Sequence, residues 1–160
     1  MKQHHETLAA HRDRVPEVVT GARPVGRFPP AQRVKKRLEF EAAQGSGRKA
    51  TLPHFVLLLY ARAESGEARL GIVASRKVGT AVVRNRAKRL VREAFRATRE
   101  LFMPGIDVVV IVRRPLEGMK LDDVRSEWKS REELVRRRTL EAQRDFRGRA
   151  AHAAAAGGPS

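Results

Sequence analysis

The stretch from Lys77 to Arg96, Lys-Val-Gly-Thr-Ala-Val-Val-Arg-Asn-Arg-Ala-Lys-Arg-Leu-Val-Arg-Glu-Ala-Phe-Arg, constrains the fold more than any other. Wound as a helix at about 100° per residue, it separates into two unlike faces. Val83, Ala87, Leu90, Val91, Ala94 and, further on, Leu101 share an arc roughly 120° wide, the pattern of a core-facing stripe. Arg84, Asn85, Lys88, Arg89, Arg92, Arg96 and Arg99 share an opposing arc of about 140°. Apart from Phe95, that second arc is polar throughout, and no residue on it is acidic. Glu93 and Glu100 stand to one side, too few to neutralise it. A solvated helix face normally interleaves acids with bases for i, i+4 support. A face this one-sided calls for an anionic partner.

Composition points the same way. Lys and Arg number 34 against 18 Asp and Glu, a formal net charge of +16. Charge of that density repels itself in the compact state, so nucleic acid is the first expectation and an anionic membrane surface the second. Arginine outnumbers lysine on the cationic arc, and its planar fork suits bidentate phosphate contacts and stacking on bases. The chain has no cysteine, which excludes disulfides and thiolate metal sites. No apolar run approaches the roughly 18 to 20 residues of a membrane span, and the N-terminal Met1-Lys2-Gln3-His4-His5-Glu6 lacks a secretory apolar region. The expectation is a soluble, cytoplasmic protein. A lipid-binding helix would carry Trp and Leu on its apolar stripe, whereas this stripe is mostly Val and Ala, suited to packing on a sheet.

In chain order, residues 1–27 mix charges, Pro16, Pro24 and Gly21 without a sustained period and read as a flexible extension. A short basic helix over Arg33–Ala43 follows Pro29-Pro30, with Val34, Leu38 and Ala42 as its apolar edge and Gly45-Ser46-Gly47 as its stop. Phe40 falls off that edge and is either core or a stacking surface. Phe55–Ala61 has strand composition, and the loop Glu64–Glu67 suggests a hairpin into Arg69–Ser75. A further short strand fits before Phe55. The basic helix comes next, entered through Gly79, and Ile106–Val112 is a β-branched strand. From Leu121 a second long helix is expected, with Asp122 and Asp123 suited to its first turn. The order is α-β-β-β-α-β-α, an α+β fold with one sheet and helices packed on it. The segment 139–160 reads as a basic and then Ala/Gly-rich disordered tail.

Catalysis by side chains is not expected: HExxH, GxSxG and a cysteine nucleophile are all absent. The acidic residues are dispersed, and Asp122-Asp123 is explained by helix capping. Neither catalytic nor metal-ligating residues are assigned. Asn85, an amide among guanidiniums, reads equally as a base-edge contact, a ligand to a hydrated metal, or an ordinary surface residue. Phe55 and Tyr60 differ by five positions, so they face opposite sides of the sheet. One of them leaves the core side, as a stacking platform for single-stranded nucleic acid or beneath a helix.

The ordered segment Lys77–Arg92 resembles the arginine-asparagine-arginine signature of the bacterial ribonuclease P protein subunit. Arg33-Val-Lys-Lys-Arg-Leu-Glu-Phe40 is similar to that family's N-terminal basic helix, Leu70–Lys77 to the strand leading into the signature, and Asp107–Pro115 to the strand after it. The resemblance covers residues 28–138. It implies a compact α/β sandwich around a four-stranded sheet, with the signature helix in a left-handed βαβ crossover, against the usual right-handed rule. It also implies a protein that joins a catalytic RNA, the pair removing the 5′ leader of precursor tRNA. The RNA, with Mg²⁺, would do the chemistry, and no obligate protein partner or membrane is implied. Matched to the family pattern, Arg76, Lys77, Arg84, Asn85, Arg86, Lys88, Arg89, Arg92 and Arg96 would face RNA. Phe40, Phe55 and Lys36 would line a cleft for the leader. The family often carries a second aromatic one turn beyond Phe40, where Ala43 or Gln44 stands here. The alternative function is a general or ribosome-associated RNA-binding protein.

Overall fold

The computed structural model describes residues 30–157, and the extension 1–27 lies outside them. From Gln32 onward these residues form one unit. Its elements are α1 (Arg37–Ser46), β1 (Arg48–Thr51), β2 (Phe55–Ala61), β3 (Arg69–Ala74), α2 (Ala81–Ala97), β4 (Ile106–Val112), α3 (Leu121–Ser130) and α4 (Glu132–Ala156). The strands make one sheet in the order β1-β2-β4-β3, antiparallel except for the parallel pair β3 and β4. The short strand before Phe55 is β1, and α2 connects the parallel pair as the βαβ reading requires.

The expected hairpin between β2 and β3 does not form, because β4 lies between them. Ile-Asp-Val-Val-Val-Ile-Val is buried along nearly its whole length, so it gains most from a central place with hydrogen-bonding partners on both sides. The loop after β2 instead bonds to the turn before β4: Arg62 N–H donates to the Gly105 carbonyl at 3.0 Å, and Gly105 N–H to the Gly66 carbonyl at 2.8 Å.

Strand parity gives the sheet two different faces. Phe55, Leu57 and Leu59 of β2 register with Val112, Val110 and Val108 of β4, and all six are buried. Trp128 of α3 meets the Phe55 ring edge-on at 5.8 Å and the Phe102 ring edge-on at 5.9 Å, and Phe102 stacks on Phe95 of α2 at 5.0 Å. This aromatic chain ties α2 and α3 to one face, and α4 joins them through buried Val135, Thr139 and Ala142. On the other face lies α1, with Ala43 packed against Leu58 and Val109.

Three helical expectations change. The first helix begins at Arg37, not Arg33: Val34 is buried as extended chain, its N–H donating to the Leu70 carbonyl at 2.9 Å. Leu38, expected on the apolar edge, is 75% exposed. The long helix from Leu121 is two helices. The Arg131 amide turns to the Trp128 carbonyl at 3.1 Å, closing α3, while the Arg131 carbonyl accepts from Val135 at 3.0 Å and opens α4. The tail from residue 139 is helical through Ala156 rather than disordered. Alanine is the strongest helix former, which offsets the cost of about 1 kcal/mol for Gly148 inside the helix. Arg48 Nε also fastens this segment to β1 through Asp145 Oδ2 at 2.8 Å.

Candidate nucleic-acid interface

The basic helix is set by its entry. Ser75 leads into a single 3-10 turn, Arg76–Val78, whose Val78 is buried while Arg76 and Lys77 stay exposed. Gly79 follows at φ 145°, a backbone region that side chains rarely adopt. The Thr80 hydroxyl then caps α2 by accepting from the Val83 N–H at 3.4 Å.

Within α2, Ala87, Leu90, Val91, Ala94 and Phe95 are buried, so Phe95 belongs to the core and not to the cationic arc. Asn85 and Arg89 are exposed, and Arg84, Lys88, Arg92 and Arg96 are half-buried. Among the described residues, none of these five cations forms an ion pair. Arg84 Nε and Arg96 Nε and Nη1 are buried without an acceptor. Burial, then Arg33 and Arg89 nearby, push the Arg92 guanidinium below its ordinary value. Burial also lowers Arg96, with Glu93 opposing and Arg92 and Arg99 adding to the shift. An arginine remains cationic through such shifts. This side of α2 therefore carries charge that the described residues leave uncompensated.

Two arginines of the helix region are engaged differently. Arg86 donates from Nη1 to the Leu116 carbonyl at 3.2 Å and from Nη2 to the Met119 carbonyl at 3.0 Å, latching the loop between β4 and α3. Arg99 pairs with Glu67 at 2.9 Å. Charge pattern alone does not distinguish them from Arg89.

On the α1 face, cross-strand registers define three rows. Val56, Ile111 and Val73 form the first, Leu58, Val109 and Gly71 the second, and Tyr60, Asp107 and Arg69 the third. Helix α1 lies over the second. Phe40 rests on Gly71, where an added β-carbon would sit 2.7 Å from the ring, so only glycine admits Phe40 so close to the strand. The first row stays partly open, with Val56, Val73 and Ile111 half-buried beside Phe40. Thr51 of β1 registers with Val56 and extends this strip, and Lys49 registers with Leu58 next to it. The strip runs toward Ser75 and the cationic turn that enters α2.

Of the expected cleft residues, Phe40 lines this strip and Lys36 is exposed just before α1. Phe55 does not reach it: the side chain is 0% exposed, under Trp128 on the opposite face. Tyr60 is the ring of β2 on the α1 side, as the five-residue offset requires. Val56, Val73 and Ile111 have no counterpart among the residues expected to line the cleft. Their signal was the parity they share with Tyr60, and it lacked only the knowledge of which face α1 covers. The place of a second aromatic is taken by buried Ala43 and exposed Gln44.

Glu39 fastens α1. Its carboxylate accepts from the Lys36 N–H at 3.1 Å and from Arg69 Nη2 at 2.9 Å, while Arg69 bridges on to Asp107 at 2.7 Å. Burial pushes Glu39 up, but those hydrogen bonds outweigh it and hold its carboxyl below the ordinary value. Asp107's hydrogen bonds keep Arg69 firmly charged. Asp123 accepts from the Lys120 N–H at 2.8 Å, as a helix-capping acid does. Among the described residues no cluster of three or more His, Cys, Asp or Glu is arranged to hold a metal ion. No helix among them is long and apolar enough to cross a membrane.

Comparison with known proteins gives the chain a family. The family model for ribonuclease P matches residues 28–148. The chain belongs to the ribonuclease P protein family. Among relatives, it is 41% identical over 95 residues to the ribonuclease P protein component of Shouchella clausii, covering 59% of this chain and 78% of that one. It is 45% identical over 89 residues to that of Gluconacetobacter diazotrophicus, covering 55% and 77%. Among solved structures, a Staphylococcus aureus RNase P protein mutant with defective mRNA degradation activity superposes with TM-score 0.59 at 28% identity, over 66% of this chain and 89% of that one. The Thermotoga maritima RNase P protein gives 0.55 at 34% identity, over 61% and 92%. The family match runs ten residues beyond the boundary expected at 138 and takes in much of α4.

Proposed function

We propose that this protein is the protein subunit of ribonuclease P. It binds the catalytic RNA through the cationic side of α2 and holds the 5′ leader of precursor tRNA on the strip beside Phe40. The observation that carries this reading is the pairing of five α2 cations that form no ion pair among the described residues with a half-open apolar strip on the sheet face that α1 partly covers, whose end runs toward the turn entering α2. Phosphates of a folded RNA suit the first, and unstacked bases of a single-stranded leader suit the second. Arg84, Lys88, Arg89, Arg92 and Arg96, with Arg76 and Lys77 at the helix entry, contact the RNA backbone, while Asn85 reads shape or a base edge.

The chain's own residues supply charge, shape and a stacking surface. Bond cleavage belongs to the RNA with its Mg²⁺, and no described side-chain cluster here is built to carry that ion. The protein works in the cytoplasm and needs no second protein for this task. The test is reconstitution: purified protein is added to ribonuclease P RNA at low Mg²⁺, and cleavage of a leader-bearing precursor is followed. Stimulated release of a mature 5′ end is expected. Binding of RNA without stimulation would favour the general RNA-binding alternative and overturn the proposal.

A further inference from the structure

Helix α1 divides its face of the sheet into two lanes, and the Proposed function uses only one. Past the α1 side that carries Leu38 and Ala42 lies a groove of about 520 Å³, walled on its far side by Phe146 and Arg149 of α4. Tyr60 forms part of its floor. The Arg149 guanidinium lies over the Tyr60 ring at 4.6 Å and over the Phe146 ring at 5.8 Å, and its Nη2 donates to the Ala61 carbonyl at 2.9 Å. A second, smaller groove of about 260 Å³ adjoins it on the other side of Phe146 and ends at Arg147. Neither Arg147 nor Arg149 forms an ion pair among the described residues.

We infer that this groove is a second subsite for single-stranded RNA, taking leader nucleotides that run beyond the strip beside Phe40. Three planar groups, Tyr60, Phe146 and the Arg149 guanidinium, converge on one place, the arrangement on which bases stack without regard to sequence. The arginine on each side of Phe146 supplies charge for the phosphates that flank a stacked base. The two lanes share one sheet face: Val56 and Tyr60 are separated along β2 by about 13 Å at the usual rise of a strand. Of the acids that line the groove, Asp107 is held by Arg62 and Arg69 and Glu39 by Arg69, while the exposed Glu64 is outnumbered by Arg147 and Arg149. This subsite depends on α4 remaining helical past residue 146, and it supplies aromatic surface that α1 lacks at Ala43 and Gln44. The inference rests on the Proposed function.

The experiment uses the reconstituted holoenzyme and two precursors, one with a short leader and one several nucleotides longer. Wild-type protein, Phe146→Ala and Phe146→Leu are compared, the leucine variant keeping the apolar wall without a ring. Wild type is expected to bind the longer leader more tightly, and both variants to reduce that gain about fivefold or more while leaving the short leader unchanged. A fluorescent adenine analogue placed in the added segment is expected to be quenched by wild type and not by Phe146→Leu. Equal loss on both leaders, unchanged gain in the variants, or no wild-type gain from lengthening overturns the subsite. Loss of stimulation with the short leader in wild type would instead overturn the Proposed function.

Discussion

Arg89→Ala and Arg86→Ala remove the same charge from the same helix and are expected to fail in different ways. Arg89 is exposed and forms no ion pair among the described residues, whereas Arg86 donates to the carbonyls of Leu116 and Met119. If Arg84, Lys88, Arg89, Arg92 and Arg96 each displace counterions, this face contributes a log–log salt slope of about −3.5 to −4.5. Arg89→Ala then shallows the slope by about 0.7 to 0.9. Between 50 and 200 mM salt, that is about threefold less loss of affinity. Its effect on unfolding free energy should stay within about 0.5 kcal/mol, as for a surface site without bonds. Arg86→Ala strands two carbonyls and frees their loop, costing about 1 to 2 kcal/mol of stability, with little change of slope. The assay is filter binding or anisotropy with ribonuclease P RNA over a salt series, paired with urea unfolding. Equal shallowing by both variants, or none by Arg89→Ala, would refute this division of labour.

Phe40→Ala should cut the preference for leader-bearing precursor over mature tRNA by about 1 to 3 kcal/mol, measured as a ratio of affinities. Phe55→Ala should leave that ratio alone but cost about 3 to 5 kcal/mol of stability, because Phe55 supports Trp128 from within the core. Gly71→Ala brings a methyl to 2.7 Å from the Phe40 ring. It should destabilise by about 1 to 3 kcal/mol and lower the leader preference as Phe40 is displaced, and an unaltered preference would show that the ring's position is unimportant. Glu39 has its folded pKa lowered below the ordinary 4.5, so its stabilisation is present above that value and lost as pH falls below it. Urea midpoints should therefore drop on acidification beneath pH 4.5 more steeply in wild type than in Glu39→Gln.

What could be read from the chain was local. The two faces of α2 follow from the 3.6-residue period and the sign of the charges, both carried by consecutive residues. Strand identities were legible for the same reason, but their partners were not. Seating β4 between β2 and β3 is decided by which run gains most from central burial, a comparison between segments far apart. The resemblance put Phe55 in a cleft, and parity could not correct it: parity gives only relative faces, and the side chosen by α1 is a tertiary fact. The loop contacts of Arg86 were likewise not legible, since its carbonyl acceptors lie some thirty residues away. The break at Arg131 has neither glycine nor proline to mark it. The tail was misread by composition: repeated alanine resembles low complexity, yet alanine is the residue that most favours a helix.

The unpaired cations of α2 also set two responses to salt against each other. In the free protein Arg92 is repelled by Arg33 and by Arg89. Added electrolyte screens that repulsion and should raise the melting temperature. In the complex the same electrolyte competes for the phosphates and loosens the RNA. Conditions that make the isolated protein most robust are thus those in which it holds its partner least. At low ionic strength the RNA itself takes over the role of the missing counter-charge.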